Sequence, residues 1–507
     1  MSYLKAAALA LGVLTVAGGV STGAADAAGT LRIGTQEDPD RLDPALGGTF
    51  GGRFIFTALC DKLVDLAPNL DLVPQLATSW SWSPDGRTLT MNLRHGVTFQ
   101  DGEPMDANAV KANLERYRAA PDSVRKTELK PVSAIDVVDP STVRIVLSQP
   151  YAPLIAVLSD RAGMMASPKA FERMGKDFFT HPVCSGPFSF NERVAQDHIT
   201  LDRFPGYWNA NAIHFDQVIF RPTPDATLRL VNLRAGQLDI LQDLAPSDAG
   251  SVRNDPKLAL TSITGLGYAA VGFNVGNGPK AGGPFGRDPR MREAFEAAID
   301  RNVINQVVMG GLFVPDNQTE LPQSPYFNKA IPVPPRDVAR AKALLAAAGV
   351  EHPTLEMIVA NTPRDMQVAE VMQSMAADAG ITVKIIAGEA NANIAAMNGG
   401  NFESAIDNWS GRADPDPNIS IYLACDSFQD WGKYCSPKFN NLLAEARAQT
   451  DPTQRQAVYR QVVETYTTDR PALFLYHNTW LFASTAKLKG FVPVPDGLIR
   501  IQGMSGE

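Results

Sequence analysis

The alternation of helical and strand patterns in the second half of the chain limits the possible fold more than any other feature. Gly349 and Gly380 each follow an Ala-rich helical segment and can end that helix. The predicted elements are, in order, helices over 290–309 and 337–348, a strand over 354–359, a helix over 365–379, and strands over 381–386 and 404–409. This order favours a mixed α/β sheet.

Hairpins dominate the first half of the chain. Apolar and polar residues alternate from Leu76 to Phe99 around the turn 83–86, which predicts a β-hairpin. Asp106 can cap a helix, and two further strands over 132–138 and 143–147 are expected around the next turn.

The N-terminal segment predicts the compartment. Lys5 precedes an unbroken small and apolar run from Ala6 to Val20, and residues 25–27 read Ala-Asp-Ala. This pattern is typical of a cleaved signal peptide over 1–27, and no cysteine near the cleavage site would take a lipid. We therefore expect a free periplasmic protein that is not membrane-embedded, because no later apolar run without charges is long enough to span a bilayer. The remaining chain of roughly 480 residues is large enough for two lobes.

Charge and motif content argue against several functions. The formal net charge of −8 makes nucleic acid an unexpected partner. The sequence contains no H-E-x-x-H, P-loop or G-x-G-x-x-G motif, its one G-x-S-x-G string lies in the predicted signal peptide, and its six histidines are scattered singly. We therefore predict no catalytic residues, no metal site and no cofactor, and an exported hydrolase is the alternative.

Four cysteines in an exported protein predict disulfides. Cys425 and Cys435 are close enough in sequence to pair locally, which leaves Cys60 with Cys184 by elimination. Four cysteines allow three connectivities, and buried free thiols are the other interpretation.

Two loops are candidates for a binding crevice. Ligands of open α/β sheets bind beyond the carboxyl ends of the strands. Residues 361–364, ending at Arg364, follow one predicted strand, and residues 410–417 follow another. We expect these two loops to converge.

Several motifs resemble a known family. They are the segments 72–80, 83–88 and 93–104, Arg41-Leu42-Asp43-Pro44, Cys184-Ser185-Gly186-Pro187-Phe188, 234–239, 288–292, 298–301 and 339–349. Together they resemble the family 5 extracellular solute-binding proteins, which include dipeptide-, oligopeptide- and nickel-binding proteins of ABC importers. The matches are spread over nearly the whole chain after the signal peptide.

The resemblance implies a type II periplasmic binding protein of the α/β class, a two-lobed clamp that closes by a hinge. Lobe I would comprise 28–66, 184–270 and 478–507, with an inserted subdomain over 67–183, and lobe II would comprise 271–477. The implied partners are a small peptide-like ligand and an inner-membrane ABC permease complex, and the protein is expected to be a monomer without enzymatic activity.

The chain departs from the family at one site. Peptide-binding relatives commonly show W-x-x-D, whose aspartate pairs with the ligand's amine, whereas Trp409-Ser410-Gly411-Arg412 places Arg412 near that position. Either Asp414 or Asp416 takes over the amine, or Arg412 holds an anionic group of a more acidic ligand. A salt bridge between the lobes is the other role for Arg412.

Three further side chains are candidate ligand contacts. Trp409 and Trp431 are expected to stack on the ligand or to close the cleft, although large aromatic residues often belong to the core. Arg364 is expected to pair with a carboxylate. Ligands other than peptides stay open, namely an opine, a sugar or a metal chelate.

Overall fold

Strands occur throughout the part of the chain that the computed structural model describes, residues 29–427 and 429–506. The predicted signal peptide over 1–27 lies outside the described residues. The strands are β1 (Thr30–Thr35), β2 (Val64–Leu66), β3 (Leu72–Pro74), β4 (Ala77–Trp82), β5 (Thr88–Leu93), β6 (Val132–Asp139), β7 (Thr142–Leu147), β8 (Phe188–Val194), β9 (His198–Arg203), β10 (Gln217–Pro222), β11 (Ile240–Leu241), β12 (Leu258–Phe273), β13 (Val314–Pro315), β14 (Thr354–Ala360), β15 (Thr382–Gly388), β16 (Ser404–Trp409), β17 (Ala472–Thr485), β18 (Leu488–Lys489) and β19 (Ser505–Gly506).

The helices begin mostly at Pro, or after a side chain that caps them. They are α1 (Phe50–Leu59), α2 (Ala107–Ala119), α3 (Leu154–Val157), α4 (Pro168–Met174), α5 (Ala226–Arg234), α6 (Ala249–Arg253), α7 (Pro284–Arg287), α8 (Pro289–Ala298), α9 (Arg301–Met309), α10 (Val338–Ala347), α11 (Pro363–Asp378), α12 (Ala390–Asn398), α13 (Pro415–Leu423), α14 (Pro437–Ala448) and α15 (Pro452–Asp469). Within the described residues, none of these helices is long and apolar enough to cross a membrane.

Two expectations about helices need correction. The segment 290–309 is not one helix, because Ile299 is extended and Asp300 caps α9 by accepting from the amides of Asn302 and Val303. The loop predicted over 410–417 is shorter than expected. Asp414 caps α13, and Pro415 occupies the first turn, where its missing N–H costs nothing.

One large sheet joins the two lobes. Its strand order is β15-β14-β16-β12-β17-β11-β1-β10-β9-β8, and β13 also pairs with β17. The strands β11, β1 and β10 are parallel in one lobe, and β15, β14 and β16 are parallel in the other. The long antiparallel strands β12 and β17 belong to both lobes, so the sheet has a parallel group on each side of them.

A separate sheet forms the inserted subdomain. Its strands are antiparallel in the order β4-β5-β7-β6, and the predicted hairpin corresponds to β4 and β5. α2 packs its buried residues against this sheet, and its cap is Asp106 as expected. The apolar core of this subdomain is distinct from the cores of the two lobes.

The fold is a two-lobed α/β clamp. One core packs around β1, α1 and β10, and the other around β14, α8 and α11. The lobe boundaries stay predictions. The pairing of β12 with β17 is interrupted between Thr264 and Tyr268, a few residues before the boundary at 270 that the sequence suggested.

Candidate binding cleft between the lobes

The interruption of β12 marks the base of the cleft. Gly265, Leu266 and Gly267 leave the ladder there, and the register resumes at Tyr268 opposite His477. A Cβ atom on Gly267 would lie 2.1 Å from the carbonyl oxygen of Trp409, so only glycine fits this crossing. The carboxyl ends of the parallel strands in both lobes point toward this crossing, where ligands of open α/β sheets bind.

Asn418 holds the loop that follows β16. Its Oδ1 accepts from the indole Nε1 of Trp409 at 2.9 Å and from the backbone N–H of Arg412 at 2.7 Å. Its Nδ2 donates to the carbonyl of Arg412 at 3.0 Å. The Arg412 guanidinium lies 4.6 Å from the Trp409 ring centroid, a cation–π contact. The loop therefore presents a fixed arginine backed by an aromatic ring.

Arg412 reaches the inserted subdomain. Its Nε lies 3.6 Å from Oδ2 of Asp160, so the contact between the lobes is present in this structure. Arg53 of α1 and Arg161 also approach Asp160, at 3.1 and 3.8 Å. Burial would raise the pKa of Asp160, but these three guanidinium groups, together with that of Arg125, outweigh it and hold that pKa well below its usual range. Direct contact of Arg412 with a ligand stays a prediction.

Asp414 and Asp416 are engaged within lobe II. Arg455 donates two hydrogen bonds to Asp414, at 2.6 and 2.7 Å, and Arg447 donates to Asp416 at 2.7 Å. Both carboxylates are almost fully buried. The proline and the two aspartates thus start α13 and tie it to α14 and α15, which accounts for both carboxylates without a ligand.

Arg364 faces lobe I from the first turn of α11. Burial would lower its pKa, but the carboxylate of Asp243 in lobe I raises it. Its guanidinium lies 6.0 Å from the ring centroid of Phe313, and its buried Nε has no hydrogen-bond acceptor among the described residues. Gln242, beside Asp243, also has its buried side-chain amide without a partner in the described chain. These groups are able to bind a polar solute.

Trp431 lies apart from the Arg412 loop. Tyr422 stands between the two tryptophans, with ring centroids 5.6 Å from Trp409 and 5.9 Å from Trp431. Trp431 lines a cavity of about 60 Å³ inside lobe II, together with Asp407, whose pKa burial raises. The structure therefore brings together Trp409 and Arg412 but not Trp431.

Both predicted disulfides are present. Cys60 pairs with Cys184, and Cys425 pairs with Cys435. The second bond closes a short segment between α13 and α14, close in sequence to the Arg412 loop. No group of three or more metal-ligating side chains was found among the described residues.

Sequence reasoning missed the cleft residues that come from lobe I and from the inserted subdomain. Arg53, the adjacent pair Asp160 and Arg161, and Gln242 are far apart in the sequence and belong to no motif with fixed spacing. Only the fold brings them opposite lobe II. Arg364 and Arg412 each follow a strand predicted from the sequence, whereas most of these residues do not. The rule that ligands bind beyond the carboxyl ends of strands, here called the strand-end rule, therefore did not select them.

The fold and the cleft together define a two-lobed binding protein. The family described as "Bacterial extracellular solute-binding proteins, family 5 Middle" matches residues 71–430. The chain belongs to this family of solute-binding proteins.

Relatives and solved structures agree with this assignment. The glutathione-binding protein GsiB of Salmonella paratyphi A is 28% identical over 96% of this chain and 96% of its own length. The structure of AgaA from A. tumefaciens R10 in complex with agropinic acid is 25% identical, with a TM-score of 0.81, covering 94% of this chain and 99% of that one. DppA from Helicobacter pylori in complex with the peptide STSA gives 24% identity and a TM-score of 0.81, covering 94% and 98%, which supports the fold.

Proposed function

We propose that this protein is the substrate-binding component of an ABC importer, and that it captures a peptide-like solute in the cleft and delivers it to an inner-membrane permease. The observation that carries the proposal is the contact of Arg412 with Asp160. It supports a cleft narrow enough for one solute to contact both lobe II and the inserted subdomain. A partner that recognises this joined arrangement would distinguish a loaded protein from an empty one.

The compartment of the protein, its oligomeric state and its lack of enzymatic turnover are part of the proposal. Family membership supports action outside the inner membrane, and the segment 1–27 has the pattern of a signal peptide that is removed on export. We infer a free periplasmic monomer that binds without chemical turnover. The relatives named above are binding proteins, which supports this view over an exported hydrolase.

Arg412 and Arg364 are the proposed anchors for the solute. Each follows the carboxyl end of a parallel strand in lobe II, and each faces a carboxylate contributed from outside lobe II. Trp409 supplies an apolar ring beside Arg412 for stacking. Since arginine binds carboxylates through two parallel hydrogen bonds, these anchors suit the acidic groups of a peptide-like molecule.

Asp414, Asp416 and Trp431 have supporting roles in this proposal. The two aspartates fix the loop through Arg447 and Arg455, so they are not available to pair with an amine unless those ion pairs break. Trp431 packs against Phe402 and lines the lobe II cavity, so it supports the aromatic wall from behind Tyr422. The cleft near Trp409 therefore offers the solute cations rather than free carboxylates.

The first experiment is native mass spectrometry of the protein purified from periplasm, with release and identification of the bound solute. A peptide or amino-acid derivative in a one-to-one complex supports the proposal, and the named relatives make glutathione an obvious compound to test by titration. A bound sugar or metal chelate, or an opine like the agropinic acid of the AgaA structure, would contradict the peptide assignment but not the transport role.

Two variants test whether Arg412 acts on the solute. Arg412→Gln is expected to weaken binding by at least about tenfold, because it removes a charge-assisted contact. Arg144→Gln is the matched control, since Arg144 is an exposed arginine on the sheet of the inserted subdomain. Equal loss in both variants would indicate an effect of net charge alone. Incubation with the identified solute, followed by mass analysis, tests for turnover, and any product would favour the hydrolase.

A further inference from the structure

Four arginines meet around one aspartate at the junction of the lobes. Arg53 comes from α1 of lobe I, Arg125 and Arg161 come from the inserted subdomain, and Arg412 comes from lobe II. Arg53, Arg125 and Arg161 are each at least 95% buried, and all four act on Asp160 electrostatically. We call this group the arginine cluster.

The carboxylates paired with the cluster are too few to balance it. Asp160 forms ion pairs with Arg53, Arg161 and Arg412, and Glu128 accepts a hydrogen bond from Arg125 at 2.7 Å. Within the described part of the chain, four cations therefore share two anions. Concentrated positive charge in a partly desolvated place is costly unless an anion joins it. The cluster is thus short of negative charge.

Several guanidinium nitrogens have no acceptor. Among the described residues, Nη1 of Arg53, Nε of Arg125 and Nε of Arg161 are buried without a hydrogen-bond partner. Nη1 of Arg161 is better supplied, since it donates to the carbonyls of Gly47 at 3.1 Å and Thr49 at 3.3 Å. Buried donors without acceptors are rare in folded proteins and point to an additional partner.

The pKa shifts of two arginines in the cluster agree with this shortage of hydrogen-bond acceptors. Burial, together with Arg125, Arg53 and Arg412, lowers the pKa of Arg161 to about 9 against the opposing effect of Asp160. Burial and Arg53 likewise lower the pKa of Arg412. A guanidinium whose pKa falls is in a site where its own charge is disfavoured, so an added anion would stabilise it.

The surroundings of the cluster are suited to an organic ligand. The Arg53 guanidinium lies 5.4 Å from the ring centroid of Phe50, which stacks on Trp480 of β17 at 5.2 Å. Trp409 stands behind Arg412 on the opposite lobe. Aromatic rings on both lobes therefore flank the cations, as in sites that bind small organic anions.

From these observations we infer that the arginine cluster is a carboxylate-binding subsite, and that the solute is an acidic, peptide-like molecule with at least two carboxylates. One carboxylate binds at the cluster, and another pairs with Arg364. This inference rests on the proposed function, because it assumes that a peptide-like solute occupies the cleft. It adds Arg53, Arg125 and Arg161 to the binding residues and names the chemical class of the ligand.

The test compares ligands that differ by a single negative charge. Isothermal titration of the stripped, refolded mature protein would use Ala-Glu against Ala-Gln, and glutathione against its monoethyl ester. The acid member of at least one pair is expected to bind at least about tenfold more tightly than its neutral partner. Equal affinity within every pair that binds would overturn the inference and leave the proposed function intact. Binding of no member of either pair would overturn both the inference and the assignment of a peptide-like solute, but not the transport role.

Variants of the arginines test whether the cluster causes the preference for the acid member of each ligand pair. Arg161→Gln is expected to bring the affinity for the acid member close to that for its neutral partner, while Arg144→Gln keeps the difference. Arg53→Gln serves as a second probe in case the Arg161 variant does not fold, which circular dichroism would show. An unchanged preference in a folded variant of either arginine would refute the assignment of the subsite to the cluster.

Discussion

The pair formed by Asp414 and Arg455 offers the sharpest test of how the binding loop is built. The carboxylate accepts two hydrogen bonds from the guanidinium, and both side chains are at least 93% buried. Replacing Arg455 with Gln leaves the carboxylate buried and without its counter-ion. Loss of one partner of a buried ion pair costs about 3 to 5 kcal/mol. We therefore expect Arg455→Gln to lower the free energy of unfolding by that amount.

Thermal and urea unfolding would measure this loss. For domains of this size the expected fall in Tm is at least about 6 °C. Arg460→Gln is the control, because Arg460 is exposed on the same helix. The double variant Asp414→Asn with Arg455→Gln should be more stable than the sum of the single changes predicts, since it leaves no buried charge without a partner. If Arg455→Gln unfolds like the control, the reasoning is wrong.

Three further predictions concern stability and the hinge. Burial raises the pKa of Glu320 to about 8, so Glu320 binds a proton in the folded protein that the unfolded chain releases. Its contribution to stability should therefore fall as the pH rises from about 4.5 to about 8, and Glu320→Gln should reduce the slope of Tm against pH over that range. Replacing both Cys60 and Cys184 with Ala opens a link across 124 residues and should cost about 5 kcal/mol, measured by urea unfolding against the intact protein. Gly267→Ala forces its methyl group onto the carbonyl of Trp409, so it should lower both Tm and solute affinity, whereas Gly250→Ala, where no atom lies within 4 Å, should not.

Local sequence signals predicted most elements well. The hairpin strands β4 and β5, the cap at Asp106, and the strands β14 and β16 all follow from alternation, capping residues and turn chemistry. The segment 290–309 was harder, because both of its halves have a helical pattern. Asp300 can cap a new helix as readily as it can sit within one, and packing decides between the two.

The binding cleft was only half predictable. Arg364 and Arg412 follow strands, so the strand-end rule selected them. Asp414 looked equally suitable from sequence, yet its partner Arg455 lies 41 residues further along and no local pattern connects them. Arg53 and Arg161 join the site only through tertiary packing across the lobes, which a single sequence does not reveal.

The proposed carboxylate recognition would link solute charge to closure of the clamp. Closure would bring Arg412 of lobe II toward Arg53 and Arg161, with which it interacts electrostatically across the cleft. Two like charges about 6 Å apart repel by roughly 3 kcal/mol at the effective dielectric of partly buried sites. Asp160 offsets only part of this repulsion, because one carboxylate faces three cations. A solute carboxylate at the same place would offset the rest, so that closure is favoured when the acidic group is bound and disfavoured when it is missing.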